Sequence, residues 1–117
     1  MNFANRIRKR REELRATKGR DFSQRQVALR IEVEPSYLSK LERGQFPPPS
    51  EEVVLRLADE LDLDADTLLA LAGKVASDLQ ETIRERPRMF GHLIRELRDA
   101  PDEGIMMLTE RAERGDW

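Results

Sequence analysis

The sequence has 117 residues, a length that suits one compact domain with an appendage. It has no cysteine, which excludes disulfides and thiolate chemistry and is compatible with a reducing cytoplasm. The net charge of −2 is unevenly distributed, because residues 1–49 carry 12 Lys and Arg against 6 Asp and Glu, whereas residues 50–117 carry 9 against 17. The basic front half favours an anionic partner, although the net charge alone would argue against one.

The composition also limits the compartment and the assembly. No stretch approaches the roughly 20 apolar residues of a membrane span. No apolar run follows the basic N-terminal segment, so we expect no signal peptide, no membrane contact and a cytoplasmic protein. Hydrophobic and charged residues each make up 38% of the chain. This apolar content is low for the core of a monomer and favours oligomerisation, which would bury further apolar surface.

Every periodic stretch of the sequence has helical spacing, and none alternates as a half-buried strand would. The first predicted helix spans about residues 3–18 and ends before Gly19. Its inner side carries three apolar residues, Phe3, Ile7 and Leu14. The sequence therefore predicts an all-α fold.

Residues 23–44 are the most informative stretch and predict two short helices joined by a tight turn. Ser23 caps the first helix and forms a capping box with Gln26. The second begins at Pro35, a residue favoured at a first helical position, and ends at Gly44, which suits a left-handed cap. The inward positions of the two helices are apolar: Val27, Ala28, Ile31, Leu38 and Leu41.

Two further helices complete an N-terminal domain that we predict over residues 1–75. The prolines at 47–49 exclude a helix directly after the helix-turn-helix pair. A fourth helix follows with Ser50 as its cap, and a fifth runs over about residues 65–72 with Asp64 as its cap.

Residues 76–117 predict a C-terminal extension of two or three helices. One runs from Ser77 to about Arg86, the next begins at Pro87 and the last at Pro101. The middle helix carries an apolar stripe: Phe90, Leu93, Ile94 and Leu97. Because short helices cannot bury such stripes alone, we expect them to pack mainly on a second copy of the chain and partly on the first domain.

A helix-turn-helix pair has one common use, which is to lay its second helix in the major groove of DNA. Lys40 can donate to guanine O6 or N7, Ser36 can donate or accept, and the ring of Tyr37 can lie against a thymine methyl. At the start of the first helix, Gln24 can present its backbone N–H and side-chain amide to a phosphate. The remaining candidate DNA contacts are Arg25, Pro35, Ser39 and Arg43.

The same residues resemble the Xre family of phage-repressor-like regulators. The match is carried by S-Q-x-x-V-A at residues 23–28 and S-Y-L-S-K-L-E-R-G at residues 36–44, and it covers about Phe3 to Gly73. It implies a five-helix repressor-like domain with base-reading positions at Pro35, Ser36, Tyr37 and Lys40, and a phosphate contact at Gln24. One residue departs from the pattern: Glu32 stands where the family often has Gly in the turn, and a non-glycine residue there is strained.

The resemblance also implies a structural pair between Arg11 of the first helix and Glu42 of the recognition helix. Such a pair would fix how the recognition helix sits on its scaffold, and we do not count it as a contact to DNA. No second histidine or cysteine accompanies His92 to complete a zinc site. Since there is no phosphate-binding Gly-rich loop and no nucleophile with a base, we expect no catalytic residue, metal or cofactor.

The sequence therefore predicts a regulator, a repressor by family precedent, that binds double-stranded DNA specifically. A homodimer would read a palindromic operator whose half-sites lie about 34 Å apart. A second hypothesis stays open. The chain would then be an antitoxin-type protein whose C-terminal helices bind a partner protein, with DNA binding used for autoregulation.

Overall fold

A computed structural model of the chain describes residues 2–117, and all regular structure in that range is helical. The eight α-helices of this range are α1 (Phe3–Lys18), α2 (Gln24–Arg30), α3 (Pro35–Glu42), α4 (Glu51–Glu60), α5 (Ala65–Leu71), α6 (Ser77–Glu85), α7 (Pro87–Leu97) and α8 (Asp102–Glu113). A 3₁₀ turn, Gly19–Phe22, joins α1 to α2. These helices confirm the prediction of an all-α fold with C-terminal helices after the fifth.

The chain divides into two compact units, with the boundary between Ala76 and Ser77. In the N-terminal unit, α1–α5 enclose one hydrophobic core. The fully buried side chains come from all five helices and the turns that follow α2 and α4, and they include Ile7, Val27, Ile31, Leu38, Leu41, Val54, Leu57, Leu61, Leu68 and Leu69. Since the inward positions predicted for the helix-turn-helix pair are all among the buried residues, α2 and α3 are held from behind by this core.

Local side-chain caps explain where several helices begin. The Ser23 hydroxyl accepts from the backbone N–H of Gln26 at 3.2 Å, which starts α2. The Asp64 carboxylate accepts from the backbone N–H and the hydroxyl of Thr67, at 2.9 and 2.7 Å, at the start of α5. These two hydrogen bonds lower the pKa of Asp64, the hydroxyl contact having the larger effect.

Two helices of the N-terminal unit end in a non-glycine residue with left-handed backbone. Glu32 has φ 63° after α2, and Asp62 has φ 52° after α4. Arginines from other helices stabilise both ends: Arg56 donates to the carbonyl of Ile31 at 3.3 Å, and Arg10 donates to the carbonyl of Leu61 at 2.9 Å. The helix-turn-helix turn is therefore left-handed with Glu in place of Gly, and Arg56 also lies 3.5 Å from the Glu32 carboxylate.

The C-terminal unit, Ser77–Trp117, contains α6, α7 and α8 and buries none of its side chains fully. Of the predicted apolar stripe on α7, Phe90 and Leu97 are half-buried, whereas Leu93 and Ile94 are 47% and 53% exposed. Other large apolar side chains of this unit are exposed as well: Leu79, Met89, Ile105, Met106, Met107, Leu108 and Trp117. Among the described residues, this unit therefore has nine exposed large apolar side chains, against four in the N-terminal unit.

Candidate nucleic-acid interface

The helix α3 is anchored along one side and open along the other. Leu38 and Leu41 are buried in the core, and Glu42 is only 2% exposed. The other side, which we call the outer face of α3, carries the predicted contact residues: Pro35, Ser36, Lys40 and Arg43 are exposed and Ser39 is half-buried. Tyr37 lies at the edge of this face, half-buried, with part of its side chain packed against the core. A helix held in this way can enter a groove without displacing any part of its own fold.

Arg11 and Glu42 form a bidentate salt bridge inside the N-terminal unit. Arg11 Nε lies 2.7 Å from Glu42 Oε2, and Arg11 Nη2 lies 2.8 Å from Glu42 Oε1. The third nitrogen of the guanidinium, Nη1, donates to the carbonyl of Phe22 at 3.1 Å. The contact ties α3 to α1 and to the turn before α2. Because both side chains are nearly excluded from water, loss of either would leave a buried charge without its partner.

Gln24 belongs to the same network. Its side-chain nitrogen donates to Glu42 Oε1 at 3.0 Å, and the side chain is half-buried. One amide hydrogen is therefore used within the protein, which leaves the second hydrogen and the backbone N–H of a first helical residue for an external acceptor. Gln24 thus connects the open start of α2 to the buried pair that fixes α3.

The aromatic and basic groups of the outer face are ordered by one another. The rings of Tyr37 and Phe46 stack with centroids 5.6 Å apart and an angle of 27° between their planes. The ammonium of Lys40 lies 5.5 Å from the centroid of the Phe46 ring. Arg43 turns back along the helix and donates to the carbonyl of Ser39 at 3.3 Å.

Phe46 is a residue that sequence analysis did not place in the site. The signal available in the sequence was an aromatic side chain two residues after the glycine that ends α3 and directly before three prolines. The remaining predicted contact, Arg25, is exposed on the first turn of α2. The structure therefore brings together Tyr37, Lys40 and Phe46 in one cluster, and Gln24 with Glu42 in another.

Two further observations on the described residues concern metal binding and membrane insertion. In the range 2–117, no group of three or more His, Cys, Asp or Glu side chains is arranged to hold a metal ion. His92 lies on α7 with its ring 4.0 Å from the Glu96 carboxylate, and both side chains are largely exposed. None of the helices in this range combines the length and apolar character needed to cross a lipid bilayer.

Comparison with known families gives one match. The model of a family described as a helix-turn-helix domain matches residues 2–71, which contain α1 to α5. Neither the curated proteins nor the solved structures gave a match. The matched range contains every candidate DNA contact and ends before the C-terminal unit.

Proposed function

Because this chain belongs to the helix-turn-helix domain family, we propose that it is a transcriptional regulator of the Xre type, a repressor that reads a specific DNA sequence. The outer face of α3 carries the proposal. It presents Ser36, Lys40 and Arg43 to solvent, while buried side chains fix the same helix from behind. Hydroxyl, ammonium and guanidinium groups are the donors that read base edges and phosphates in a major groove.

The electrostatics of the chain support docking by this face. The basic half of the sequence contains α1, α2 and α3, and the acidic half contains the remaining helices. A duplex would therefore be attracted to the helix-turn-helix side and repelled by the rest of the chain. We propose that such a regulator acts in the cytoplasm and needs no cofactor or catalytic group.

We propose that the active form is a homodimer, since one α3 spans only a few base pairs. The C-terminal unit would supply a contact between copies through the exposed apolar residues of α7 and α8, among them Ile94 and Met107. Ile94→Glu is expected to dissociate the dimer, measured by light scattering after size exclusion. The matched control is Thr82→Glu, which adds the same charge at an exposed polar position of α6. Equal masses for both variants would contradict a dimer built through α7.

Selection of bound duplexes from a random pool tests the function directly. We expect an enriched sequence with two inverted half-sites whose centres lie about 34 Å apart, one turn of the double helix. Enrichment of a single asymmetric site would reject the dimeric arrangement. No enrichment at all would reject sequence-specific binding.

A second function, capture of a partner protein in the manner of an antitoxin, is favoured by the same exposed apolar residues. Hydrogen exchange on the purified chain separates the two. In the dimeric regulator, amides of α7 and α8 are protected without any other protein. In the antitoxin-type protein, they exchange freely until the partner binds, because nothing covers Met89 or Ile94 before that.

A further inference from the structure

We propose that Phe46 is a positioning residue for DNA reading, whose ring holds Tyr37 and Lys40 in the arrangement in which they meet the bases. The proposal rests on the function given above and adds to it a residue outside the recognition helix. It makes the loop after α3 part of the device that sets sequence preference.

The geometry places one ring against both reading side chains. Tyr37 and Lys40 are three residues apart on α3 and so are neighbours on one helix face. The Phe46 ring stacks on Tyr37, with centroids 5.6 Å apart, and receives the Lys40 ammonium 5.5 Å from its centroid. Stacking of this kind and the attraction of a cation to a ring face are both directional, so the three groups order one another.

The chain holds Phe46 in place through features that do not involve the reading side chains. Gly44 ends α3 with φ 73°, and the N–H of Gln45 donates to the carbonyl of Lys40 at 2.9 Å, which turns the chain back along the helix. The prolines at 47–49 then stiffen the segment, and Pro49 is buried. Phe46 also lines a groove whose other walls include Phe3 and Leu71.

The arrangement should improve base discrimination mainly through Lys40. Its side chain is long and flexible, and a free ammonium binds any nearby phosphate as readily as it binds a guanine edge. If the ring fixes Lys40 before DNA arrives, the entropic cost of ordering the lysine falls on folding and not on binding. A fixed Lys40 would then discriminate between base edges more strongly than a mobile one.

The role is separable from core packing. Phe46 remains 41% exposed, so its contribution to the core is limited. Leu55 is a matched control because it is exposed to the same extent, 41%, but belongs to α4 and not to the recognition helix or the loop after it.

The experiment compares Phe46→Leu, Phe46→Tyr and Leu55→Ala with the wild-type chain. For each protein, the dissociation constant is measured on the selected duplex and on a scrambled duplex, and their ratio gives the selectivity. Phe46→Leu keeps apolar bulk but removes the ring, and we expect it to lower the selectivity about fivefold to thirtyfold. Phe46→Tyr keeps a ring and is expected to restore the wild-type ratio, and Leu55→Ala is expected to leave it unchanged.

A second readout needs no DNA. In the free wild-type protein, the protons next to the Lys40 ammonium are expected to show a ring-current shift in the NMR spectrum, which Phe46→Leu removes and Phe46→Tyr retains. Absence of that shift in the wild type overturns the proposal.

The outcomes distinguish the role of Phe46 from the proposed sequence-specific binding of DNA. Wild-type selectivity that Phe46→Leu leaves intact overturns the inference alone. Equal weakening on both duplexes also overturns it, because a merely structural residue would act in that way. A wild-type chain with no preference between the duplexes overturns the proposed function and the inference with it.

Discussion

Replacement of Arg11 by methionine should be among the most damaging single changes in the N-terminal unit. Methionine keeps the length of the side chain but leaves the carboxylate of Glu42, 2% exposed, without its cation. The change removes two charge-assisted hydrogen bonds to that carboxylate and one to the carbonyl of Phe22. Breaking a buried pair from one side typically costs about 3–5 kcal/mol, so we expect a loss of that size in the free energy of unfolding.

Among the described residues, Gln24 alone would remain to donate a hydrogen bond to the Glu42 carboxylate, and it is a neutral donor. Removal of both charges by Arg11→Met with Glu42→Leu should therefore cost less than the sum of the two single changes. The coupling energy in this double-mutant cycle measures how strongly the pair depends on both partners.

Urea unfolding followed by circular dichroism at 222 nm gives these free energies. Glu52→Ala is the control, because it breaks an exposed pair with Arg56 and should cost less than about 0.5 kcal/mol. A cost of Arg11→Met no larger than that of this control, or a strictly additive cycle, would show that Glu42 does not depend on Arg11 in the folded state.

Three further predictions concern DNA binding, the turn and a helix cap. Lys40→Ala should lower the discrimination between the selected and the scrambled duplex by about 1–3 kcal/mol. Lys9→Ala removes the same charge from an exposed lysine of α1 and should weaken binding to all duplexes alike. Anisotropy titrations in which the two variants behave the same way would contradict this. Glu32→Gly should raise the free energy of unfolding by about 0.5–1 kcal/mol, because the relief of left-handed strain exceeds the entropy that glycine adds to the unfolded chain; a lower urea midpoint would show that the contact with Arg56 outweighs the strain. Asp64→Ala should lower the melting temperature at pH 7, and this effect should shrink as the pH becomes acidic. The folded-state pKa of Asp64 is lowered, so its contribution is present above the unfolded pKa and is lost as the pH falls through the folded value; a destabilisation independent of pH would count against this cap.

Local chemistry made most of the N-terminal fold predictable. The caps at Ser23 and Asp64 form within three residues of sequence, and the inward positions of α2 and α3 follow from helical periodicity alone. The contact of Gln24 with Glu42 joins residues 18 positions apart. It depends on how two helices cross, which periodicity does not specify.

The position of Phe46 in the site was still harder to predict from the sequence. Nothing in its own segment identifies a partner, because the segment is irregular and rich in proline. Its ring reaches Tyr37 only because Gly44 adopts a left-handed conformation and turns the loop back along α3. For α7, the apolar stripe was visible in the sequence, but the surface that covers Leu93 and Ile94 belongs to another molecule in our proposal and so leaves no pattern in this one.

The two arginines that stabilise helix ends form a series through the N-terminal unit. Arg10 of α1 donates to the carbonyl of Leu61, directly after α4. Arg56 of α4 donates to the carbonyl of Ile31, directly after α2 and at the start of the turn that leads into α3. Because each arginine bonds two elements, fraying at the turn should weaken the contact with α4, and fraying at the end of α4 should weaken the contact with α1. A module linked in this order should open as a single cooperative body, with amide protons in α2 and α4 exchanging at one common rate, so the protein would meet its duplex with a turn that is already rigid.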